Sequence, residues 1–354
     1  MQIGLFSNGA RHNPVAKQSY DEDLAEIMLA DELGIQEAWI SEHGTLVGFQ
    51  APDQLPSADL FICKAAALTK QIRMGPGIRA LPYYHPLQVA TDAATCDHLT
   101  NGRYMAGFGV GLGGGKTPQR GQLPGDARAM VRESIDIIQT AWTAPEPFDW
   151  NGEFWQGREW HIIPQPLTKP HMDVGIACAR TEGTLELTAQ RGFIPLMSYT
   201  GASKQITEMI DIYLEARRAS NQAPERSRVR VSRVVYVADS KEQAMKDLQG
   251  ADLGSALVGG RVDQYIPPGG SRDDVTMEYL IDQGVFFGGD PESVYQQINS
   301  FYDEVGGFGV LMLVVGKDWG THEQRQRSMR RFMEEVAPRL ASLDPDRSAV
   351  SAAR

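Results

Sequence analysis

A Glu-His pair after a short apolar run is the first candidate for acid–base chemistry. The segment EAWISEHG places Glu42 and His43 directly after the residues predicted to form the second strand. In a parallel barrel both would lie at the carboxyl edge of that strand, where the active sites of such barrels form. A histidine there could act as a general base or a hydrogen-bond donor near neutral pH. The alternative is a histidine held by neighbouring carbonyl groups in a structural role, and position alone favours neither.

More polar residues follow the third predicted strand, in the segment IRMGPGIRALPYYHP. Glycines at a strand end allow another group to approach the backbone closely. Arg79 and His85 could face the same mouth of a barrel. The opposing interpretation is a tight barrel corner, with His85 merely preceding a helix that starts with proline. The spacing by itself favours this second interpretation.

The fourth predicted strand ends in GFGVGLGGGKT, in which Gly109, Gly111 and Gly114 satisfy the pattern GxGxxG. The match is weak, because a polar loop containing proline (TPQRGQLPGD) follows where a dinucleotide fold needs a helix. The segment also fails to match the P-loop pattern, since Val110 stands where the first glycine of that pattern should be. The glycines therefore indicate close approach of the backbone to a flat or phosphorylated ligand.

The segment ACARTEGTLELTAQRG follows the fifth predicted strand and could bind a phosphate. Arg180, Thr181 and Thr184 lie where a strand gives way to the amino terminus of a helix, which supplies backbone N–H groups. An ordinary N-cap threonine beside a surface arginine explains the same residues equally well. The sequence has no HExxH, no paired Cys/His ligand set and no GxSxG, so neither a metal site nor a serine hydrolase is indicated.

Charge and composition argue against polyanionic partners. The chain has 354 residues and a net charge of -11, with Lys and Arg scattered along it. Nucleic acids and anionic membranes favour basic patches, so neither is expected as a partner. The three cysteines show no CxxC spacing, which is typical of reduced thiols in a cytosolic protein. Without a signal peptide or an apolar run of roughly 18 residues, a soluble cytoplasmic protein is expected.

Eight short apolar runs alternate with longer amphipathic runs, which is the pattern of a parallel sheet covered by helices. The predicted strands are residues 3–6, 37–41, 72–81, 104–109, 173–178, 194–198, 229–238 and 310–315. Eight strand–helix units favour closure into a single (β/α)8 TIM barrel over a doubly wound open sheet. We expect one barrel domain over residues 1–341 and a polar tail over 342–354. Long loop insertions at about 145–172 and 250–288 should shape or cover the active site.

Helices are predicted over residues 21–33, 126–142 and 291–305, and the third has the strongest pattern. Asp290 can cap it and Pro291 suits its first turn. Its apolar positions share one face of the helix. These positions are Val294, Ile298, Phe301 and Val305.

Taken in order, these segments resemble the bacterial-luciferase-like flavin-dependent monooxygenases. The resembling segments cover nearly the whole chain: IGLF, WISEH, ALPYYHP, LTNGRY, IIPQPLTKPH, ARTEGTLELTAQRG and GGDPESVYQQI. Three further segments, MVRESIDIIQTAW, APERSR and FMEEVAPRL, look closer to the diketocamphane monooxygenases, which are type II Baeyer–Villiger enzymes. Each motif alone is weak, whereas the ordered series is specific.

The resemblance implies roles for individual residues. His43 matches the catalytic histidine of the family, and the pair Gly77–Ile78 matches a non-prolyl cis peptide under the flavin ring. The implied cofactor-binding residues are Phe6, Gly77, Ile78, Gly109, Arg180, Thr181 and Thr184. The implied substrate pocket consists of Glu42, Arg79, His85 and Phe108.

The chain also departs from luciferase at four positions. Val110 stands where luciferase has a phosphate-binding arginine, and Arg180 stands where luciferase has a glutamate. Arg180, which follows the fifth predicted strand, could therefore neutralise the phosphate in place of the arginine that luciferase has after the fourth strand. Gly109 replaces a reactive cysteine, and Gly44 replaces a second histidine. Neither luminescence nor an aldehyde substrate is therefore implied.

The family resemblance implies a two-component, FMNH2-dependent monooxygenase, expected as a homodimer. A separate NAD(P)H:flavin reductase would supply reduced FMN, and oxygen would add at the flavin C4a atom. One oxygen atom would then enter a small, largely apolar substrate by Baeyer–Villiger oxidation or hydroxylation. Two alternatives stay open: a deazaflavin-dependent oxidoreductase on the same barrel, and a non-catalytic flavin-binding protein.

Overall fold

A computed structural model describes most of the chain. The described residues are 1–7, 15–43, 55–111, 126–178, 181–198, 201–248, 261–315 and 320–346.

Twelve strands form within these ranges. They are β1 (Gln2–Ser7), β2 (Glu37–Ile40), β3 (Arg73–Pro76), β4 (Arg79–Ala80), β5 (Ala106–Gly109), β6 (Phe148–Asn151), β7 (Gln156–Trp160), β8 (Val174–Cys178), β9 (Ile194–Met197), β10 (Arg230–Val237), β11 (Phe286–Gly289) and β12 (Val310–Val315). The described α-helices are α1 (Ala16–Glu32), α2 (Ala58–Ala66), α3 (Pro86–Leu99), α4 (Ala127–Thr143), α5 (Glu182–Gln190), α6 (Ser203–Ala219), α7 (Lys241–Asp247), α8 (Met277–Asp282), α9 (Pro291–Glu304), α10 (His322–Arg331) and α11 (Ala337–Leu340). Within the described ranges, none of the helices has the length and apolar character needed to span a membrane.

The large sheet closes on itself, which confirms the predicted barrel. Its strands are hydrogen-bonded in the order β3-β2-β1-β12-β10-β9-β8-β5-β4. In addition, β11 pairs with the carboxyl half of β10. Strands β3 and β4 are two parts of the one strand predicted over residues 72–81, so the two ends of the sheet meet. The amide of Met74 donates to Arg103 O at 2.9 Å, and Met105 N donates to Met74 O at 2.8 Å. With β3 and β4 counted as one strand, eight parallel strands of the described chain form the closed ring, and β11 is a ninth parallel strand that pairs with β10.

The predicted helices form with small shifts at their ends. Asp290 caps α9 by accepting a hydrogen bond from Ser293 N at 3.0 Å, as predicted. The four apolar positions predicted to share one face of this helix are all buried. Helix α1 begins at Ala16 instead of residue 21. Its first turn carries exposed Lys17 and Gln18 and the buried but polar Ser19, so it adds little to the apolar pattern. There, Gln18 Nε2 donates to Glu22 Oε1 at 3.0 Å.

Each of the two predicted loop insertions contains secondary structure. Residues 145–172 include the antiparallel hairpin of β6 and β7. The carboxylate of Glu133 on α4 accepts hydrogen bonds from Trp150 Nε1 and from the backbone amides of Phe154 and Trp155, each at 3.0 Å. These contacts hold the hairpin against α4.

The second predicted insertion contains α8 and β11. Strand β11 pairs with the carboxyl half of β10 and carries buried Phe286 and Phe287. The whole segment was predicted as a loop because it contains the motif IPPGG, and prolines and glycines are typical of loops. Part of the insertion, residues 250–260, lies outside the described residues.

The inside of the barrel is filled by Trp39 and by a buried ion pair beneath it. Trp39 is fully buried, and its Nε1 donates to Glu37 Oε1 at 3.0 Å. Arg230 Nη2 reaches Glu37 Oε2 at 3.0 Å, and its Nε reaches Oε1 at 3.1 Å. Glycines on neighbouring strands make room for the indole: a Cβ atom on Gly175 would lie 2.5 Å from Trp39 Cη2. The barrel therefore has a solid floor, and a ligand must bind at its mouth.

Because the barrel closes tightly around Trp39, one methyl group added to a neighbouring glycine should strongly lower the stability of the fold. In Gly107→Ala, the added Cβ would lie 1.7 Å from the backbone oxygen of Pro76 and 2.9 Å from Trp39 Cζ3. We expect a loss of about 3 kcal/mol in the free energy of unfolding, measured by urea denaturation. Gly183→Ala on α5 is the control, because a Cβ atom there would lie 4.0 Å from Glu186 Oε2, an ordinary contact distance. Equal stability of the two variants would contradict the packing described here.

Candidate active site

The inward face of β2 leads from the barrel floor to the mouth. Side chains alternate along a strand, so Ser41 and His43 continue the inward row that Glu37 and Trp39 begin. Ser41 N donates to Ser7 O at 3.0 Å, which extends the pairing of β2 with β1. The Ser41 side chain is 1% exposed, and its hydroxyl has no hydrogen-bond partner within the described part of the chain.

Four of the predicted cofactor residues lie together at this mouth. The peptide between Gly77 and Ile78 is cis. A Cβ atom on Gly77 would lie 3.1 Å from Phe6 Cε2, and one on Gly109 would lie 3.0 Å from Ile78 Cδ1. Because both glycines lack side chains, one aromatic ring, one aliphatic side chain and bare peptide groups meet here. We call Phe6, Gly77, Ile78 and Gly109 the mouth patch.

His43 is neutral at physiological pH. Burial lowers the pKa of its imidazole to about 4. Its backbone amide donates to Leu55 O at 2.9 Å, which fixes the main chain just beyond β2. A neutral imidazole has one donor and one acceptor nitrogen, so it can hydrogen-bond to a ligand or accept a proton from it.

Glu42 points away from the inward row and is also held firmly. Its carboxylate accepts hydrogen bonds from Tyr84 Oη at 2.9 Å and from Ala58 N at 3.4 Å. Burial raises the pKa of Glu42, although the Tyr84 hydrogen bond and the charge of Arg79 oppose this shift.

Arg79 is the centre of a buried network behind the mouth. Its Nη1 lies 2.7 Å from Asp59 Oδ2 and 3.1 Å from Asp92 Oδ2. Tyr104 Oη donates to the other oxygen of Asp59 at 2.6 Å, and the Arg79 guanidinium lies 4.5 Å above the ring of Tyr84. Asp59 and Asp92 belong to α2 and α3, so Arg79 faces the layer between the barrel and these helices. The network joins one cation to three carboxylates, counting that of Glu42.

The predicted phosphate segment is described only in part. Arg180 lies outside the described residues. Thr181 occupies the N-cap position of α5, but its side chain makes no capping hydrogen bond. Thr184 lies in the first turn, and its amide donates to Thr181 O at 3.0 Å. The two threonines therefore lie at a helix amino terminus that follows β8, where an anion would be stabilised.

Like Arg79, two further predicted pocket residues lie away from the mouth patch. His85 is the N-cap of α3: its Nδ1 accepts from Leu87 N at 3.3 Å, and its ring packs against Trp155 at 4.9 Å. Phe108 stacks on Trp142 of α4 at 6.2 Å. Since Gly107 and Gly109 face the inside of the barrel, Phe108 between them must face the helix layer.

Sequence reasoning missed four residues of this region. The period of two along WISEH could have placed Ser41 on the same face as His43. Tyr84 stands within the quoted segment PYYHP, but its link to Glu42 depends on the fold. Asp59 and Tyr104 had no local signal, because only tertiary contact brings them to Arg79.

The chain is similar to known proteins over most of its length. The family model described as luciferase-like monooxygenase matches residues 1–307. The 4-hydroxyprotoasukamycin monooxygenase of Streptomyces nodosus subsp. asukaensis is 31% identical over 338 residues, covering 92% of this chain and 87% of that protein. The 3,6-diketocamphane 1,6-monooxygenase of Pseudomonas putida is 27% identical over 379 residues, covering 96% and 98%.

A solved structure extends the likeness to three dimensions. It is the oxygenating constituent of 3,6-diketocamphane monooxygenase from the CAM plasmid of Pseudomonas putida, a type II Baeyer–Villiger monooxygenase in complex with FMN. Its TM-score is 0.80 at 25% identity, and the match covers 96% of this chain and 98% of that chain. The chain therefore belongs to the luciferase-like monooxygenase family. It is an enzyme of the flavin-dependent monooxygenase class, as the sequence resemblance predicted.

Proposed function

We propose that this chain is the oxygenating component of a two-component monooxygenase. It would take reduced FMN from a separate NAD(P)H:flavin reductase and insert one atom of O2 into a small, largely apolar molecule. The observation that carries the proposal is the mouth patch, with the partly buried and neutral His43 two residues beyond Ser41 on the inward row of β2. The FMN-bound relative, named as an oxygenating constituent, supports both the cofactor and the division into two components. We expect the enzyme to be a homodimer.

The described residues fit a flavin. A planar ring needs a flat apolar surface, which the side-chain-free positions Gly77 and Gly109 supply between Phe6 and Ile78. Ser41 offers a buried hydroxyl that has no hydrogen-bond partner among the described residues. The FMN phosphate would be held at the start of α5 by Thr181 and Thr184, with Arg180 as its counter-charge.

When bound, reduced FMN supplies the activation of dioxygen, and the protein supplies position and environment. The apolar mouth patch would exclude water from the reacting centre. His43 would donate a hydrogen bond to the activated oxygen or accept a proton beside it. We propose ketones as the first substrate class to test, because one similar enzyme is named for a diketone and its structure is called a Baeyer–Villiger enzyme.

The proposal predicts a specific response to oxygen. Protein mixed anaerobically with reduced FMN and then with oxygenated buffer should show a transient absorbance that differs from both oxidised and reduced FMN. A ketone substrate should shorten the lifetime of this transient species and yield a product with one added oxygen atom. Oxidation at the rate of free reduced FMN would contradict the proposal. Tight binding of a reduced deazaflavin would then favour the hydride-transfer enzyme, and flavin binding without turnover would favour the non-catalytic binder.

A further inference from the structure

A partly buried hydrogen bond holds the residue that precedes His43. Tyr84 Oη donates to Glu42 Oε1 at 2.9 Å, while Ala58 N donates to Glu42 Oε2 at 3.4 Å. Both oxygens of the carboxylate are thus fixed by groups outside β2. Glu42 and His43 share a peptide bond, so fixing Glu42 restricts the main chain from which the imidazole projects.

The same tyrosine is connected to the strand that carries half of the mouth patch. The Arg79 guanidinium lies 4.5 Å above the Tyr84 ring, and Arg79 directly follows Ile78 in the chain. Arg79 is itself anchored by Asp59 at 2.7 Å and by Asp92 at 3.1 Å. Tyr84 therefore links two sides of the mouth, one bearing His43 and the other bearing Gly77 and Ile78.

We propose that Tyr84 is a positioning residue, which acts through Glu42 to hold His43 at a fixed distance from the mouth patch. This inference rests on the proposed function, since it concerns the distance between His43 and a flavin bound on that patch. Catalytic groups lose much of their effect when they are displaced by about 1 Å. A hydrogen bond that prevents such a displacement would matter for the oxygen reaction more than for binding of the flavin.

The variant Tyr84→Phe tests this role with the loss of one oxygen atom. The phenyl ring remains against Arg79, and the hydrogen bond to Glu42 is lost. With the full-length protein and reduced FMN, we expect the transient flavin species to decay about 10- to 100-fold faster than in the wild type. The affinity for reduced FMN, titrated anaerobically, should be unchanged. Tyr213→Phe is the matched control, because it also loses a buried phenol hydrogen bond, to Phe193 O at 3.3 Å, on α6.

A double-mutant cycle separates positioning from a general loss of structure. If Tyr84 acts through Glu42, the double variant Tyr84→Phe/Glu42→Gln should decay no faster than the faster of the two single variants. The inference would be overturned if the effects of the two single variants on the decay rate multiplied in the double variant. It would also be overturned if Tyr84→Phe decayed at the wild-type rate or at the same rate as Tyr213→Phe. In these cases a wild-type transient would still support the proposed function. A wild type without any transient would overturn both proposals.

Discussion

His43→Ala is expected to bind reduced FMN normally but to lose most of its oxygenation activity. A positioned acid or base typically contributes about 10²- to 10⁴-fold to a rate. His43 is a neutral imidazole on the inward row of β2, which leads to the mouth patch. Rapid mixing with oxygen should show the transient flavin species shortened or lost, and ketone turnover should fall by about the same factor. His98→Ala on α3 provides the control, because His98 is exposed and its Nε2 hydrogen-bonds to Gln165 O at 3.0 Å, away from the mouth.

The pH dependence follows from the same imidazole. Burial lowers the pKa of His43 from 6.5 to about 4, so the unfolded chain takes up this proton at a higher pH than the folded chain. The contribution of His43 to stability is therefore complete above pH 6.5 and is lost as the pH falls from 6.5 towards 4. Oxygenation should stay level through neutral pH and fall only as the imidazole becomes charged. An inflection near pH 6.5 in the wild type would contradict the neutral state of His43 at that pH.

Arg79→Met should cause the largest loss of stability, about 3–5 kcal/mol in urea denaturation. The variant leaves Asp59 buried without its cation, and Asp92 loses the same partner. Arg79 also lowers the pKa of Asp59, opposing the larger effect of burial. Without the arginine this pKa should rise further, so the destabilisation should be smaller at pH 5 than at pH 8.

An exposed ion pair of the same length is the control for this comparison. Arg73 Nη2 lies 2.7 Å from Asp173 Oδ2, but the two side chains are 38% and 48% exposed, against 10% and 9% for Arg79 and Asp59. Arg73→Met should therefore cost about 0–1 kcal/mol. If the two variants lose equal stability, the Arg79 network does not depend on desolvated charge.

The barrel and part of the candidate site could be predicted without tertiary information. The order of apolar runs predicted eight strands, because each strand must bury its own side chains. The family motifs implied the cis peptide at Gly77–Ile78, which the structure contains. The roles of His43 and of the phosphate-binding residues stay predictions until the variants are measured. Elements rich in proline, glycine or polar residues, such as the β6–β7 hairpin and β11, were predicted as loops because their stability comes from distant partners.

The amino-acid sequence by itself determined which residues end each strand, and thereby which ones could meet at the mouth. Only the tertiary structure decided which of them do so. Phe6, Gly77, Ile78 and Gly109 converge there, whereas Arg79 turns towards α2 and α3. The physical reason is that the apolar pattern of a strand depends on its own residues, while a buried charge lies where another part of the chain supplies its counter-charge.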